Sequence, residues 1–276
     1  MAPESDVAEI QGVEVPKIGL GTWRMDDETA YRSVRTALDL GYRHVDTAQA
    51  YGNERGVGRA IGDSDVDRED VFLTTKVLPQ HARYDDLLDA VAGSLARLHV
   101  DAVDLLLLHW PNPVVDVEET LAAMSRLRDE GTVEHVGVSN FSKSRLERAR
   151  ELSDAPILTD QVHFHPFYPQ RSLLRYCQDE DVLLTAYSPL AHGGVVADET
   201  LARIGRKYDK SAAQVALRWA TQHRNVVAIP KSTTEAHLRA NLDVFDFTLT
   251  RDEIDEITRP SYLKTGAAYL RGRFGV

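Results

Sequence analysis

The chain has 276 residues, 43% of them hydrophobic and 27% charged, with a formal net charge of −11. That length can bury a large core, often as one domain when the fold is an α/β barrel, and the acidity argues against a nucleic-acid or anionic-membrane surface. A single cysteine, Cys177, excludes an internal disulfide framework and fits a reducing, cytoplasmic setting. Met1–Glu9 is acidic without an apolar core, so it reads as no signal peptide, and no apolar run approaches the roughly 20 residues of a membrane span.

In chain order, Val7–Ile10 and Val13–Val15 flank Gln11-Gly12 and predict a hairpin. Lys17–Gly21 is a short strand. Asp26 and Asp27 open a helix that carries Ala30, Val34, Ala37 and Leu38 on one face and stops at Gly41. His44–Asp46 is a strand and Glu54–Ile61 a helix. The alternation then continues, with strands at Val71–Thr75, Val103–Leu108, Val133–Val138, Ile157–Val162, Val182–Ala186 and Val226–Ile229. Helices follow them at Tyr84–Leu98, Val117–Arg128, Lys143–Leu152, Leu173–Gln178, Glu199–Tyr208, Ala212–Gln222, Glu235–Leu242 and Asp252–Ile257. The strands are apolar runs without alternation, as in a parallel sheet covered by helices. Eight strand–helix units in about 250 residues predict an α/β fold of the (β/α)8 TIM-barrel type, with the hairpin closing the barrel bottom. A doubly wound sheet would bring Gly-x-Gly-x-x-Gly after an early strand. Here Gly19-Leu20-Gly21 lacks a third glycine at the right spacing, and Gly56-Val57-Gly58 falls inside a helix. No linker or composition break divides 1–276, which reads as one domain.

Barrel chemistry sits at the carboxyl ends of the strands. Read in order, those ends carry Trp23, Asp46, Lys76, His109, Ser139 with Asn140, Gln161, Tyr187 and Lys231. Lys76, directly after an apolar strand, points into the mouth and needs a partner there; Asp46 on the preceding strand is the nearest in sequence. Tyr51 follows Asp46 by five residues. A free phenol titrates near ~10, and an adjacent ammonium lowers that value, which would make Tyr51 a general acid. His109 is placed to contact a substrate oxygen. Ser139, Asn140 and Gln161 suit a carboxamide, and Tyr187 offers a stacking face. Ser188-Pro-Leu-Ala191 and Lys231-Ser-Thr-Thr234 offer backbone N–H groups and a cation for phosphates. Together these describe a nicotinamide dinucleotide site without a Rossmann fingerprint. His163 and His165 share one strand face, but no third ligand is evident and no metal is expected. Gly193-Gly194 predict a flexible loop closing over the pyrophosphate.

These residues, in this order, resemble the aldo-keto reductase superfamily. The resemblance runs from Gly19-Leu-Gly-Thr-Trp23 to about Phe247. It rests on Gly41-Tyr-Arg-His-Val-Asp-Thr-Ala48, Tyr51-Gly-Asn-Glu54, Thr75-Lys76, Leu107-Leu-His-Trp110, Gly137-Val-Ser-Asn-Phe141, His165-Pro166, Tyr187-Ser-Pro-Leu190 and Ile229-Pro-Lys-Ser232. The short loops and His109-Trp110 look most like the small prokaryotic branch with diketogluconate and methylglyoxal reductases. The resemblance implies a catalytic set of Asp46, Tyr51, Lys76 and His109 reducing a small aldehyde, ketone or α-dicarbonyl with NADPH, Tyr51 protonating the oxygen. It implies cofactor contacts from Thr22, Asp46, Ser139, Asn140, Gln161, Tyr187, Ser188, Leu190, Lys231, Ser232, Thr233, His237 and Asn241. Trp23, Ala50, Tyr51, His109 and Trp110 would line the substrate side, and the branch is mostly monomeric.

Three positions depart from the family's pattern. His237 stands where an arginine commonly follows the phosphate-binding lysine, and Arg239 comes two residues later. A neutral imidazole binds a 2′-phosphate more weakly than a guanidinium, so NADH use is open beside NADPH. Asp160 stands where Asn is common, with a small effect expected. The tail Pro260–Val276, with Tyr262, Tyr269 and Phe274, matches no pattern, which leaves the substrate open. Two other readings also remain: a Schiff-base aldolase built on Lys76, and a non-catalytic cofactor-binding regulator.

Overall fold

The computed structural model describes residues 6–258; the tail expected over the substrate, Pro260–Val276, lies outside them. Strands β1 (Val7–Ile10) and β2 (Val13–Pro16) form the antiparallel hairpin. Its turn places Gln11 and Gly12 at φ +50° and +79°, the left-handed pair that a two-residue type I′ turn needs.

Eight parallel strands follow: β3 (Leu20–Gly21), β4 (His44–Asp46), β5 (Phe72–Val77), β6 (Val103–Leu108), β7 (Val133–Ser139), β8 (Ile157–His163), β9 (Leu183–Tyr187) and β10 (Val226–Ile229). They pair in sequence order, and a parallel bridge between Ile18 and Ala228 joins the first to the last. The helices are α1 (Asp27–Asp39), α2 (Glu54–Gly62), α3 (Tyr84–Leu98), α4 (Val117–Asp129), α5 (Lys143–Leu152), α6 (Arg171–Asp179), α7 (Glu199–Tyr208), α8 (Ala212–Thr221), α9 (Glu235–Leu242) and α10 (Arg251–Ile257). The (β/α)8 barrel is therefore present. The expected first barrel strand, Lys17–Gly21, keeps only two ladder residues plus the Ile18 bridge that closes the seam.

Two cores hold the barrel. Inside it, Phe72, Leu105, Leu107, Leu158, Leu183 and Val227 pack against Ala8, Ile10 and Val15 of the hairpin, which plugs the bottom. Gln11 ties that plug down by donating to Ile157 O and Asp181 O at 3.2 and 2.8 Å. The larger core lies between the sheet and the helices, from Leu20 and Val34 round to Leu238. Helix starts are capped by side chains: Asp26 accepts from Thr29 N, Ser142 from Arg145 N, and Ser211 forms a capping box with Gln214, each worth about 1 kcal/mol. Two of the three glycines in α2, Gly56 and Gly58, permit close helix packing. A Cβ at Gly56 would stand 2.0 Å from Asp27 O, and one at Gly58 2.0 Å from Leu98 O. Among the described residues no helix is long and apolar enough to cross a membrane.

Candidate active site

The site occupies the carboxyl end of the barrel, and its centre is an ion pair. Lys76 lies within β5 rather than after it, fully buried. Its Nζ donates to Asp46 Oδ1 at 2.6 Å, to Thr47 O at 2.8 Å and to the Tyr51 hydroxyl at 3.4 Å. Burial disfavours the ammonium, but Asp46 and Tyr51 outweigh it and hold Lys76 above the ordinary lysine value. The second oxygen of Asp46 accepts from Gln161 Nε2 at 2.7 Å. Both carboxylate oxygens are thus occupied, so Asp46 is an anchor and not a free base.

Tyr51 sits on a 3-10 turn, Gln49–Tyr51, that the sequence did not indicate. Gly52 at φ +68° ends the turn, a conformation costly for a residue with a Cβ. Three neighbours fix it. Gln49 donates to Ala90 O and Ser94 Oγ and accepts from Leu78 N. Asn53 donates to Thr22 O and Met25 O and accepts from Thr47 Oγ1. Glu54, 2% exposed, accepts from Thr75 Oγ1 and Arg97 Nε, both at 2.7 Å. None of the three is marked as a support by its sequence spacing; Asn53 and Glu54 fall in the block Tyr51-Gly-Asn-Glu54, and Gln49 lies outside it. The phenol's pKa corrects an expectation. Burial raises it and outweighs the lowering by Lys76, while Asp46 adds to the rise. The hydroxyl therefore keeps its proton at neutral pH.

His109 presents its ring edge-on to Tyr51, with centroids 5.7 Å apart. Burial first, then Lys76, lowers its pKa to about 3, so the imidazole is neutral. Its Nδ1 is buried without a partner, and Nε2 is the nitrogen left for a ligand. Trp23 and Trp110 are 38% and 50% exposed at the rim, beside the exposed Ala50. The Arg24 guanidinium covers the Trp23 ring at 4.3 Å.

Across the mouth, the amide-bearing residues form one network. Ser139 Oγ donates to Gln161 O at 2.8 Å, Asn140 Nδ2 donates to His109 O and Ser139 Oγ, and Tyr187 OH donates to Asn140 Oδ1 at 2.8 Å. Asn140 stands at φ +63°. Gln161 Oε1 accepts no bond within the described protein and Asn140 Oδ1 keeps a lone pair, so these two acceptors fit an incoming carboxamide N–H2. Behind this turn Asp160 is fully buried. Phe141 N donates to its Oδ1 at 3.4 Å, and its Oδ2 has no partner. Burial raises its pKa well above the carboxylate range.

Thr22 is buried, and its hydroxyl donates to Asp46 O at 3.0 Å, so it braces the ion pair. Ser188 and Leu190 lie in a tight turn after β9. The expected flexible segment there is a hydrogen-bonded 3-10 turn, Ala191–Gly193. Lys231, Thr233 and His237 are exposed at the start of α9, and Ser232 is buried. Lys231 makes no ion pair among the described residues. Arg239 pairs with Glu235 at 2.8 Å on the exposed face of α9. Asn241 is 5% exposed, against the Tyr42 hydroxyl. Among the described residues no group of three or more His, Cys, Asp or Glu is placed to hold a metal.

Comparison with known proteins gives a consistent result. The Aldo/keto reductase family matches residues 17–260. The chain is 41% identical to the 9,11-endoperoxide prostaglandin H2 reductase of Trypanosoma cruzi, over 89% of this chain and 87% of that one. It is 41% identical to the glyoxal reductase of Bacillus subtilis, over 89% of each. An aldo/keto reductase structure from Brucella melitensis superposes with a TM-score of 0.88 at 40% identity, covering 94% of this chain and 99% of that one. With the barrel, the mouth and these relatives in agreement, the chain belongs to the aldo/keto reductase family and is an NAD(P)H-dependent oxidoreductase of carbonyl compounds.

Proposed function

We propose that the protein reduces small aldehydes, ketones or α-dicarbonyls to alcohols with NADPH, Tyr51 acting as general acid. The observation that carries this is the buried line Asp46–Lys76–Tyr51 with the neutral His109 beside the phenol. A bound nicotinamide supplies the hydride. Ser139, Asn140 and Gln161 hold its carboxamide, Tyr187 offers the face beneath its ring, and Lys231 with Ser232 and Thr233 takes the 2′-phosphate. Thr22, Ser188 and Leu190 line the path between them, with His237 and Asn241 at the adenine end.

In this reading His109 donates from Nε2 to the carbonyl oxygen and orients it between Trp23, Ala50 and Trp110. Negative charge grows on that oxygen as the carbonyl is reduced. Tyr51 then transfers its proton, and the phenolate left behind is stabilised by Lys76, 3.4 Å away. Positioned proton transfer of this kind contributes about 10²–10⁴-fold. Fixing the carbonyl against the phenol adds to the rate by removing orientational freedom. Lys76 stays charged with three hydrogen-bond acceptors around it, which argues against a Schiff-base nucleophile.

Paired NADPH and NADH titrations, read by quenching of tryptophan fluorescence, together with cofactor oxidation in the presence of glyoxal and a panel of aldehydes and ketones, test the proposal. Binding is expected to favour NADPH, and Lys231→Gly to remove that preference. Cofactor binding without turnover of any carbonyl would overturn it.

A further inference from the structure

The proposed reaction leaves one group of side chains without a role: the rings gathered behind Tyr187. Tyr187 ends β9, and its register partner on β8 is His163. Their rings are parallel to within 5°, with centroids 5.4 Å apart, the offset stack that flat rings favour. Three more rings enclose His163: His165 at 4.6 Å, Tyr168 at 5.7 Å and His192 at 5.9 Å. They come from the chain just past β8, the loop beyond it and the turn after β9. His165 is itself locked. Its Nδ1 accepts from Phe167 N at 3.1 Å, so the proton sits on Nε2, and the ring is fully buried.

Both His163 and His165 bury an Nε2 that has no partner. Burial lowers their pKa values to about 4 and about 3, so neither ring is charged at neutral pH. An unpaired buried nitrogen is a cost that plain apolar filling avoids. The retained property is the flat, polarised ring.

Tyr187 has a specific need for such a ring. Its hydroxyl is tied to Asn140 Oδ1 and its Cβ to the strand. Cβ, Cγ, Cζ and the hydroxyl oxygen are collinear, so both restraints lie on the same axis. Neither opposes rotation of the ring about that axis. A contact against the ring's face opposes that rotation, and His163 makes such a contact.

We propose that His163 is a positioning residue for the cofactor: held by His165, Tyr168 and His192, its ring fixes the tilt of the Tyr187 face that receives the nicotinamide. This rests on the proposed placement of the nicotinamide against Tyr187. Tilt alters the approach of the reacting carbons more than the area buried. The hydride step is therefore more sensitive than binding, because small misplacements of reacting atoms are costly in rate.

The test compares His163→Ala, His163→Leu and His163→Phe. Leu restores volume without a flat face; Phe restores the flat face. Stopped-flow single turnovers with glyoxal, using NADPH and NADPH deuterated at the transferred position, report the hydride step. Fluorescence titration reports NADPH affinity, and thermal unfolding reports the fold. In Ala and Leu the hydride step is expected to slow about tenfold with a fully expressed isotope effect, while NADPH affinity weakens only about threefold. Phe is expected to recover both. Leu performing as well as Phe would reduce His163 to packing and overturn the inference, as would wild-type rates in Ala or Leu. Tyr187→Ala separates the underlying reading. Unchanged NADPH affinity in that variant overturns the cofactor placement, whereas weakened affinity there with unaffected His163 variants overturns the role of His163 alone.

Discussion

Removing one side of the Lys76–Asp46 pair tests the site's central interaction. The two side chains are 0% and 2% exposed and 2.6 Å apart, so solvent screens little of the pair. Lys76→Met leaves Asp46 charged and buried with only the Gln161 amide donating to it. Asp46→Asn leaves the ammonium with Thr47 O and the Tyr51 hydroxyl. Breaking a buried pair from one side costs about 3–5 kcal/mol, because the stranded charge loses its partner and keeps its desolvation. Replacing both with neutral groups of similar volume is often close to neutral. The double variant Asp46→Asn/Lys76→Met is therefore expected to be more stable than either single one. The coupling between the sites is expected to be at least about 3 kcal/mol, against about 0.3–0.5 kcal/mol for independent sites. Urea denaturation of the four proteins measures it. Activity should not follow stability: the double variant regains its fold but not the cation that stabilises the Tyr51 phenolate. Additive stabilities would refute the claim that Asp46 and Lys76 are held by each other, and recovered activity in the double variant would refute the role of Lys76 in proton transfer.

Three further outcomes follow from the same geometry. Burial holds the Asp160 carboxyl well above its unfolded value, so as pH rises the unfolded state loses its proton before the folded state does. The resulting loss of stability is absent below the unfolded value of about 3.9 and grows as pH rises from there toward the folded value; Asp160→Asn should gain stability over wild type as pH rises above about 4, and a pH-independent urea difference would contradict this. His109, His163 and His165 have folded values of about 3, about 4 and about 3, below the unfolded value of about 6.5. Their neutral forms contribute stability in full above that unfolded value, and it is lost as pH falls toward the folded values, by up to about 1.4 kcal/mol per pH unit for each ring; flat denaturation midpoints between pH 6.5 and pH 4.5 would count against it. Asn53→Ala removes the bonds to Thr22 O, Met25 O and Thr47 Oγ1 and should lower kcat about tenfold or more by loosening the Tyr51 turn, with NADPH affinity from fluorescence titration little changed.

The parts of this molecule that were legible in the sequence are those written with a period or at a strand end. The apolar runs that became β6 and β10 need no alternation because both faces are buried, and a polar residue at or just past the carboxyl end of a barrel strand marks the mouth. Asp46, Lys76 and Gln161 were visible for that reason. What stayed hidden is held by bonds between distant residues, which leave no local spacing. Asn53 occupies the N-cap position of α2, where an Asn ordinarily caps the helix. Its side chain makes no cap and spans to Thr22, Met25 and Thr47 instead. Gln49 reaches Ala90 and Ser94 on α3. The pKa of Tyr51 was misjudged for a related reason: the neighbouring cation is readable from residue order, while the desolvation that outweighs it depends on burial.

Gln161 joins the two halves of the site in a way residue order does not suggest. Strands β4 to β6 bring the acid, cation and imidazole; β7 to β10 bring the amides, Tyr187 and Lys231. The bond from Gln161 Nε2 to Asp46 Oδ2 crosses between them, linking residues 115 apart in sequence. It completes the carboxylate that holds Lys76. It also orients the Gln161 amide, since an Nε2 committed to Asp46 turns Oε1 toward the space where an amide ligand donates. On the proposed function, one carboxylate therefore sets both the cation beside the Tyr51 hydroxyl and the acceptor offered to the carboxamide. A neutral asparagine at position 46 weakens the attraction for Lys76, and its N–H2 replaces one of the two oxygens that accept from Lys76 and Gln161. On this geometry the proton-transfer half and the cofactor half cannot be altered independently at Asp46, whereas they can at Lys231 or at Tyr51.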